Sequence, residues 1–377
     1  KKKMKKLIIL NQRIIDWENK GEIKQNYFNP NKKFKIITIL SFVTGGKPSD
    51  HVLKKLCGNS KYEYFTVNSK LLTNNFFRYL LPLSFYKAIV NKELKTLNLL
   101  KPDIVRCIGD GYVGYISSLI SKYFKSKLII SIHTYVSLKI FLVYLTFKEK
   151  VIYFADYRFR NKSHNASNKI IIPYSKIRDN INPVNQHKIL LAYNSVGKIK
   201  VKKKQFTKVT NKINKLVFVG RLIKGKSIIK IIKAIINLKN VTLTIYGDGP
   251  EREKIEKLIT LNNVKKKIKL IGFYDNSKIL KQLSKFDAFI AYHKFYEFPK
   301  TLIEAINSRL PIILNKDPSE NLEEFKSLKI IWTDGTVSSY KKKIINLVNH
   351  EYNINLIVKN NYSQVQRFFR NNQNSYD

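Results

Sequence analysis

The sequence predicts an α/β protein made of two doubly wound domains with parallel sheets. Short apolar runs of strand length alternate with longer helical patterns, and this alternation occurs twice along the chain. The length of 377 residues exceeds what one hydrophobic core usually organises. The runs are continuously apolar, which is typical of parallel strands covered on both faces.

Each half supplies its own set of elements. The first half has predicted strands at Leu7–Leu10, Phe34–Leu40, Ile104–Ile108 and Leu128–Ile132, and a predicted helix at Tyr112–Phe124. The second half has predicted strands at Lys215–Val219, Val241–Tyr246, Lys267–Ile271, Ala288–Ala291 and Pro311–Leu314, and predicted helices at Ser227–Leu238, Glu251–Leu261, Ser277–Phe286 and Lys300–Ser308.

A polar, basic stretch separates the two halves. We expect a first domain at 1–196, a basic linker at 197–214 and a second domain at 215–361. The remaining residues, 362–377, contain a helical pattern at Tyr362–Asn371 that is long enough to pack back onto the first domain. In such a pair of domains the two sheets would face each other across a cleft, with ligands at the carboxyl ends of the strands.

The chain is strongly basic. It has 71 Lys and Arg against 26 Asp and Glu, a formal net charge of +45. That charge attracts phosphorylated substrates, anionic lipid or nucleic acid, although a coding bias toward lysine explains such diffuse charge equally well. No recognised nucleic-acid module accompanies the lysines, which argues against a specific nucleic-acid partner.

Cysteine usage and hydropathy indicate the compartment. Cys57 and Cys107 form no C-x-x-C pair, which fits a reducing environment. The run Leu7–Leu10 is too short for a signal peptide. Tyr135–Phe147 is too short to span a bilayer, but it could lie in a membrane interface or form a buried helix. We expect a cytoplasmic protein bound peripherally to the inner face of the cell membrane.

Gly109–Gly114 (GDGYVG) matches the dinucleotide-binding pattern G-x-G-x-x-G. An NAD site would also need an acidic residue about 20 positions later, but no Asp or Glu occurs between Asp110 and Glu149. We therefore predict a tight strand-to-helix turn there. Gly247–Pro250 (GDGP) likewise predicts a sharp turn.

Gly220–Lys226 (GRLIKGK) lies between a predicted strand and a predicted helix. Fixed cations beside a helix N-terminus form an anion site, and a solvated basic turn is the alternative. Glu304 lies on a mostly apolar helix face, where ribose hydroxyls or a lysine would partner its carboxylate. His133 follows a strand as a candidate general base or donor, or as an ordinary surface histidine.

Together these segments resemble the family-4 retaining glycosyltransferases of GT-B fold. The segments FVGRLIKGK, IYGDGPEREKIEKL, IKLIGF and FPKTLIEAINSRLPIIL carry the resemblance in family order across Val217–Leu314. Weaker matches in the first half are WENKGEIKQNYFNP, KPDIVRCIG, IISIHT, PYSKIRD and YNSVG.

The resemblance implies a nucleotide-sugar donor and no cofactor or catalytic metal. Arg221 and Lys226 would hold the donor diphosphate and stabilise the leaving group. Glu297 would touch the transferred sugar, Glu304 would bind the ribose, and His133 would lie near the anomeric centre. The other donor-binding positions implied are Gly21 and Gly220, together with backbone groups of Pro299, Lys300, Thr301 and Leu302.

Three positions depart from the family pattern. Glu297 and Glu304 have six residues between them, where the family usually has seven. Arg309 replaces a usual glycine, and Gly225 occupies a position at which family members vary. The shortened spacing makes the sugar contact of Glu297 the point to test.

From this we predict a metal-independent, retaining hexosyltransferase of surface polysaccharide or glycolipid biosynthesis. Its acceptor would be a glycan or a lipid-linked sugar. The alternative is a catalytically inactive GT-B protein that binds anions or a partner.

Overall fold

The computed structural model describes most of the chain. The described residues are 4–10, 13–19, 23, 25–42, 46–67, 81–97, 99–133, 135, 146–194 and 213–373. They form two compact units, which divide near Ala192 except that Tyr174–Lys176 group with the second unit. Gly21, most of Tyr135–Phe147 and all but two residues of the predicted linker lie outside the described residues.

The first unit contains a seven-stranded parallel sheet in the order β3-β2-β1-β4-β5-β6-β7. The chain starts in the middle of this sheet, extends to one edge, and then returns to build the other side. The strands are β1 (Met4–Leu10), β2 (Phe34–Ser41), β3 (Lys61–Thr66), β4 (Ile104–Ile108), β5 (Lys127–Ser131), β6 (Lys169–Ile172) and β7 (Ile189–Leu191).

The second unit contains a six-stranded parallel sheet in the order β10-β9-β8-β11-β12-β13. This is the doubly wound order. From β8 the chain builds the sheet outward to β9 and β10 on one side, and it then returns to build β11, β12 and β13 on the other side, so the strand order reverses between β8 and β11. The strands are β8 (Lys215–Val219), β9 (Thr242–Tyr246), β10 (Ile268–Gly272), β11 (Ala288–Ile290), β12 (Ile312–Asn315) and β13 (Ile331–Thr333).

Helices connect the strands in both units. The first unit has α1 (Ile14–Asn19), α2 (Asp50–Cys57), α3 (Leu83–Leu97), α4 (Tyr112–Phe124) and α5 (Phe147–Ala166). The second unit has α6 (Ile228–Ile236), α7 (Arg252–Leu261), α8 (Asn276–Leu283), α9 (Lys300–Asn307), α10 (Glu323–Lys326), α11 (Val337–Val348) and α12 (Ile354–Gln373). None of the helices in these described ranges is long and apolar enough to cross a membrane.

The predicted fold class is confirmed, and every predicted strand and helix lies within two or three residues of an observed element, except that α12 begins eight residues before its predicted start. The predicted turn at Gly109–Gly114 is also present. It joins β4 to α4, whose first amide, Tyr112 N, donates to Asp156 Oδ1 at 2.7 Å. A Cβ at Gly111 would lie 1.8 Å from the Asp156 carboxylate. Because this carboxylate already occupies the helix N-terminus, the turn is closed to a pyrophosphate.

The two glycine-containing turns of the second unit support each other at the carboxyl edge of its sheet. Gly220 N donates to Tyr246 O at 3.0 Å, and Leu222 N donates to Asp248 O at 2.9 Å. Gly247 has φ +156°, and a Cβ there would lie 1.9 Å from Gly220 O. The turn at 247–250 therefore fixes the backbone of the basic turn at 220–227. The sequence indicated only a sharp turn at 247–250, without this supporting role.

Replacing Gly247 by Ala tests this support. The added Cβ meets backbone rather than a flexible side chain, so the turns must separate. We expect a loss of roughly 1–3 kcal/mol in the free energy of unfolding of the second unit, measured by urea denaturation followed by tryptophan fluorescence. Gly46 of the first unit is the control for φ, because it also has positive φ but a Cβ added there would have no atom of the described residues within 4 Å. An equal loss in Gly46→Ala would attribute the effect to φ alone.

Candidate functional site in the second unit

The basic turn and the glutamate loop meet where the strand order reverses. The turn at 220–227 follows β8, and the loop at 291–299 follows β11, the strand hydrogen-bonded beside β8. Lys294 N donates to Gly225 O at 2.9 Å, which joins the two loops directly. A Cβ at Gly225 would lie 2.3 Å from the ring of Phe295, so any other residue there would have to displace this ring.

Lys226 and Glu297 form an ion pair across these loops. Lys226 Nζ lies 2.7 Å from Glu297 Oε1, and the two side chains are 13% and 27% exposed. Burial alone would raise the pKa of the Glu297 carboxyl, but Lys226, His293 and Arg221 together lower it below its usual range. Arg221 itself is exposed. The sequence-predicted residues Arg221, Lys226 and Glu297 therefore belong to one electrostatic cluster.

Glu304 is buried on α9 with both of its oxygens in contact with polar groups. Asn276 Nδ2 lies 3.2 and 3.3 Å from the two carboxylate oxygens, and Lys300 Nζ lies 3.4 Å from Oε1. Lys300 also donates to Asn276 Oδ1 at 3.2 Å. The lysine partner that the sequence offered as one alternative is thus present, and ribose binding by Glu304 stays a prediction.

The start of α9 is anchored by an aromatic residue. Pro299 precedes the first helical residue, Lys300, so the amides of Lys300 and Thr301 lie where a helix provides no partner of its own. Leu302 N donates back to Pro299 O at 3.1 Å. Phe298 is buried and packs edge-on against Phe325 at 5.3 Å between ring centroids. This packing holds the glutamate loop beside the helix start.

The end of α9 explains one departure from the family pattern. Arg309 has φ +63°, the left-handed conformation in which glycine usually ends a helix. Its guanidinium stacks on the ring of Tyr362 in α12, 3.1 Å from the centroid. A second contact between these helices is the bond from Gln366 Nε2 to Asn307 Oδ1 at 3.0 Å. Stacking on Tyr362 thus provides a contact that the usual glycine could not make.

His133 belongs to the first unit. It lies two residues beyond β5 with an exposed side chain, as expected of a residue at the carboxyl edge of the sheet.

The sequence missed three polar residues of the second unit: His293, Asn276 and Asn315. Each of the three follows or ends a strand, and the same position after a strand identified His133 as a candidate from the sequence. Among the described residues no group of three or more His, Cys, Asp or Glu side chains is arranged to hold a metal.

Comparison with known proteins shows which families the chain is similar to. Residues 200–364 match the family model of the glycosyl transferases group 1. The chain is 34% identical over 110 residues to the GtfA subunit of a UDP-N-acetylglucosamine–peptide N-acetylglucosaminyltransferase of Limosilactobacillus reuteri, covering 28% of this chain and 21% of that protein. It therefore spans about a fifth of the length of that relative.

A second relative and a solved structure extend the comparison. The relative is a Campylobacter jejuni N-acetylgalactosamine-N,N'-diacetylbacillosaminyl-diphospho-undecaprenol 4-alpha-N-acetylgalactosaminyltransferase, 27% identical over 161 residues, covering 41% of this chain and 44% of that protein. The structure is Anabaena HepE in complex with UDP, with a TM-score of 0.70, 15% identity and 98% of each chain covered. At that identity the likeness establishes the fold. Residues 200–364 are thus similar to the group 1 glycosyl transferases, and the chain has the GT-B fold.

Proposed function

We propose that the protein transfers a sugar from a nucleotide-sugar donor to a glycan or lipid-linked acceptor, with retention of anomeric configuration and without a catalytic metal. The observation that carries this proposal is the cluster of Arg221, Lys226 and Glu297 where the strand order of the second sheet reverses. Ligands of doubly wound sheets bind at this position. The cluster offers two cations to a diphosphate and one carboxylate to a sugar.

Transfer would proceed through charge stabilisation at the leaving group. As the bond from the anomeric carbon to the diphosphate breaks, negative charge grows on the departing oxygen. The guanidinium of Arg221 and the ammonium of Lys226 would stabilise that charge. Glu304, held by Asn276 and Lys300, would accept hydrogen bonds from the ribose hydroxyls, and His133 would act near the anomeric centre.

A screen of nucleotide-sugars by thermal shift tests the proposal. A donor at a hundred times its Kd stabilises the folded state by about 2.7 kcal/mol through mass action. Donor hydrolysis measured in excess EDTA then separates an active enzyme from an inactive binder. Stabilisation by a donor without any turnover, with or without added Mg²⁺ or Mn²⁺, would favour the inactive alternative.

We also propose that the first unit binds an anionic membrane surface at the cytoplasmic face. The net charge of +45 supports this. A row of apolar side chains on α5 also supports it: Phe147, Val151, Phe154 and Tyr157 recur at spacings of three and four and are 40–83% exposed. The Campylobacter relative, whose name contains a diphospho-undecaprenol-linked sugar, fits an acceptor in a membrane.

Substitution of the basic turn tests the diphosphate site. Arg221→Ala and Lys226→Ala should each lower the rate of transfer about a hundredfold or more, since each removes a preorganised cation from the leaving group. The control is Lys224→Ala, an exposed lysine of the same turn, which should turn over normally. Wild-type rates in both single variants would show that the diphosphate binds elsewhere.

The two glutamates should separate by assay. Glu297→Gln should lower turnover strongly without weakening binding of the free nucleoside diphosphate, because Glu297 is assigned to the sugar and a neutral Gln releases Lys226. Glu304→Gln should weaken nucleotide binding itself, measured by calorimetry. The free energy of unfolding of Glu304→Gln, measured without nucleotide, controls for the loss of the ion pair between Glu304 and Lys300. Normal turnover in Glu297→Gln would mean that the shortened spacing has removed this residue from the reaction.

Vesicle sedimentation tests the membrane surface. Binding to phosphatidylglycerol vesicles should exceed binding to phosphatidylcholine vesicles and should fall as salt rises. The double variant Phe147→Ser, Phe154→Ser should lose the binding that persists at high salt. Leu261→Ser, at an 85% exposed position of the second unit, serves as the control. Equal binding by the double variant and the wild type at every salt concentration would exclude insertion of α5.

A further inference from the structure

His293 is a buried histidine with one ring nitrogen left without a partner. The residue is 2% exposed, and Nδ1 has no hydrogen-bond partner among the described residues. Glu297 Oε1 lies 3.7 Å from His293 Nδ1, too far for a hydrogen bond. Buried polar atoms are nearly always paired, so this one requires an explanation.

The ion pair between Lys226 and Glu297 cannot survive donor binding under the proposed function. Lys226 would turn toward the diphosphate and Glu297 toward the sugar, yet in the structure Lys226 Nζ and Glu297 Oε1 contact each other at 2.7 Å. When Lys226 moves away from Glu297, the partly buried carboxylate keeps its negative charge, and a carboxylate without a partner at such a position is unfavourable. A hydrogen-bond donor other than Lys226 is therefore needed at Glu297 Oε1.

We propose that His293 is a positioning residue that takes over Glu297 Oε1 from Lys226 when the donor binds, by donating a hydrogen bond from Nδ1–H. This inference rests on the proposed function. The required movement is small, since closing 3.7 Å to about 3 Å takes less than ~1 Å. The new bond would orient the carboxylate toward the sugar and would compensate for the shortened spacing between Glu297 and Glu304.

The backbone around His293 is fixed, so the ring and the carboxylate are the parts that move. His293 N donates to Asn315 Oδ1 at 2.7 Å, and Asn315 Nδ2 donates to His293 O at 2.6 Å. Asn315 ends β12, the strand next to β11. Both bonds involve only main-chain atoms of His293, and for that reason substitutions of its side chain leave them in place.

The charges around the ring of His293 favour a neutral imidazole as the hydrogen-bond donor. Burial and Lys226 lower the pKa of His293 to about 4, while Glu297 opposes them. Arg221 and Lys226 are the cations that act on the neighbouring carboxylate. At neutral pH the imidazole is uncharged, so it can orient Glu297 without neutralising it. Removal of Lys226 from its position should raise the pKa of His293.

Asparagine and glutamine variants provide a matched test. The amide nitrogen of Asn can occupy the position of Nδ1, whereas that of Gln lies nearer the position of Nε2. His293→Asn should keep most of kcat, and His293→Gln and His293→Ala should lower kcat about tenfold or more, with the KM for the donor and the affinity for UDP nearly unchanged. Equal loss in the Asn and Gln variants, or loss confined to stability, would overturn the positioning role.

NMR of the protein with labelled histidine tests the inference without turnover. The chain has six histidines, and the His293→Asn variant assigns the signal. In Lys226→Ala the pKa of His293 should rise, and its Nδ1–H should shift downfield as it bonds to Glu297. An unchanged His293 signal in Lys226→Ala overturns the inference even in an active enzyme. If Lys226→Ala shows this change while the wild-type protein binds no nucleotide, the proposed function alone is overturned.

Discussion

Parallel pairing of β8 with β11 is the constraint on which the site depends. These strands are far apart in sequence but adjacent in the sheet, and one leads into the basic turn and the other into the glutamate loop. Because both strands run in the same direction, their carboxyl ends share one edge. Lys226 and Glu297 therefore meet although 70 residues separate them in the chain.

The ion pair at this edge has a chemical consequence. In the structure the Glu297 carboxylate pairs with Lys226, one of the two cations that the proposed function assigns to the diphosphate. A donor that replaces the carboxylate must offer more negative charge or better geometry than one carboxylate does. A diphosphate meets that condition, because it presents several oxygens to Arg221 and Lys226 at once.

The sequence predicted the strands and the basic turn, because those features depend on local patterns of apolar residues and glycines. It could not predict which lysine Glu304 contacts or that Asn276 reaches both of its oxygens, since those contacts depend on the register of separate elements. His293 was missed for a related reason. Its burial and its distance from Glu297 come from packing after β11, and the residue has no motif around it.

The two glutamates show how similar residues acquire different tasks from their surroundings. Glu304 is fixed before any ligand arrives, since Asn276 contacts both oxygens and Lys300 adds a cation on the same helix. Such a carboxylate suits a part of the donor that does not change during transfer. Glu297 instead depends on Lys226, a partner that the donor itself attracts. Under the proposed function its orientation would therefore change on donor binding, as a group that meets the sugar only when the diphosphate is in place requires.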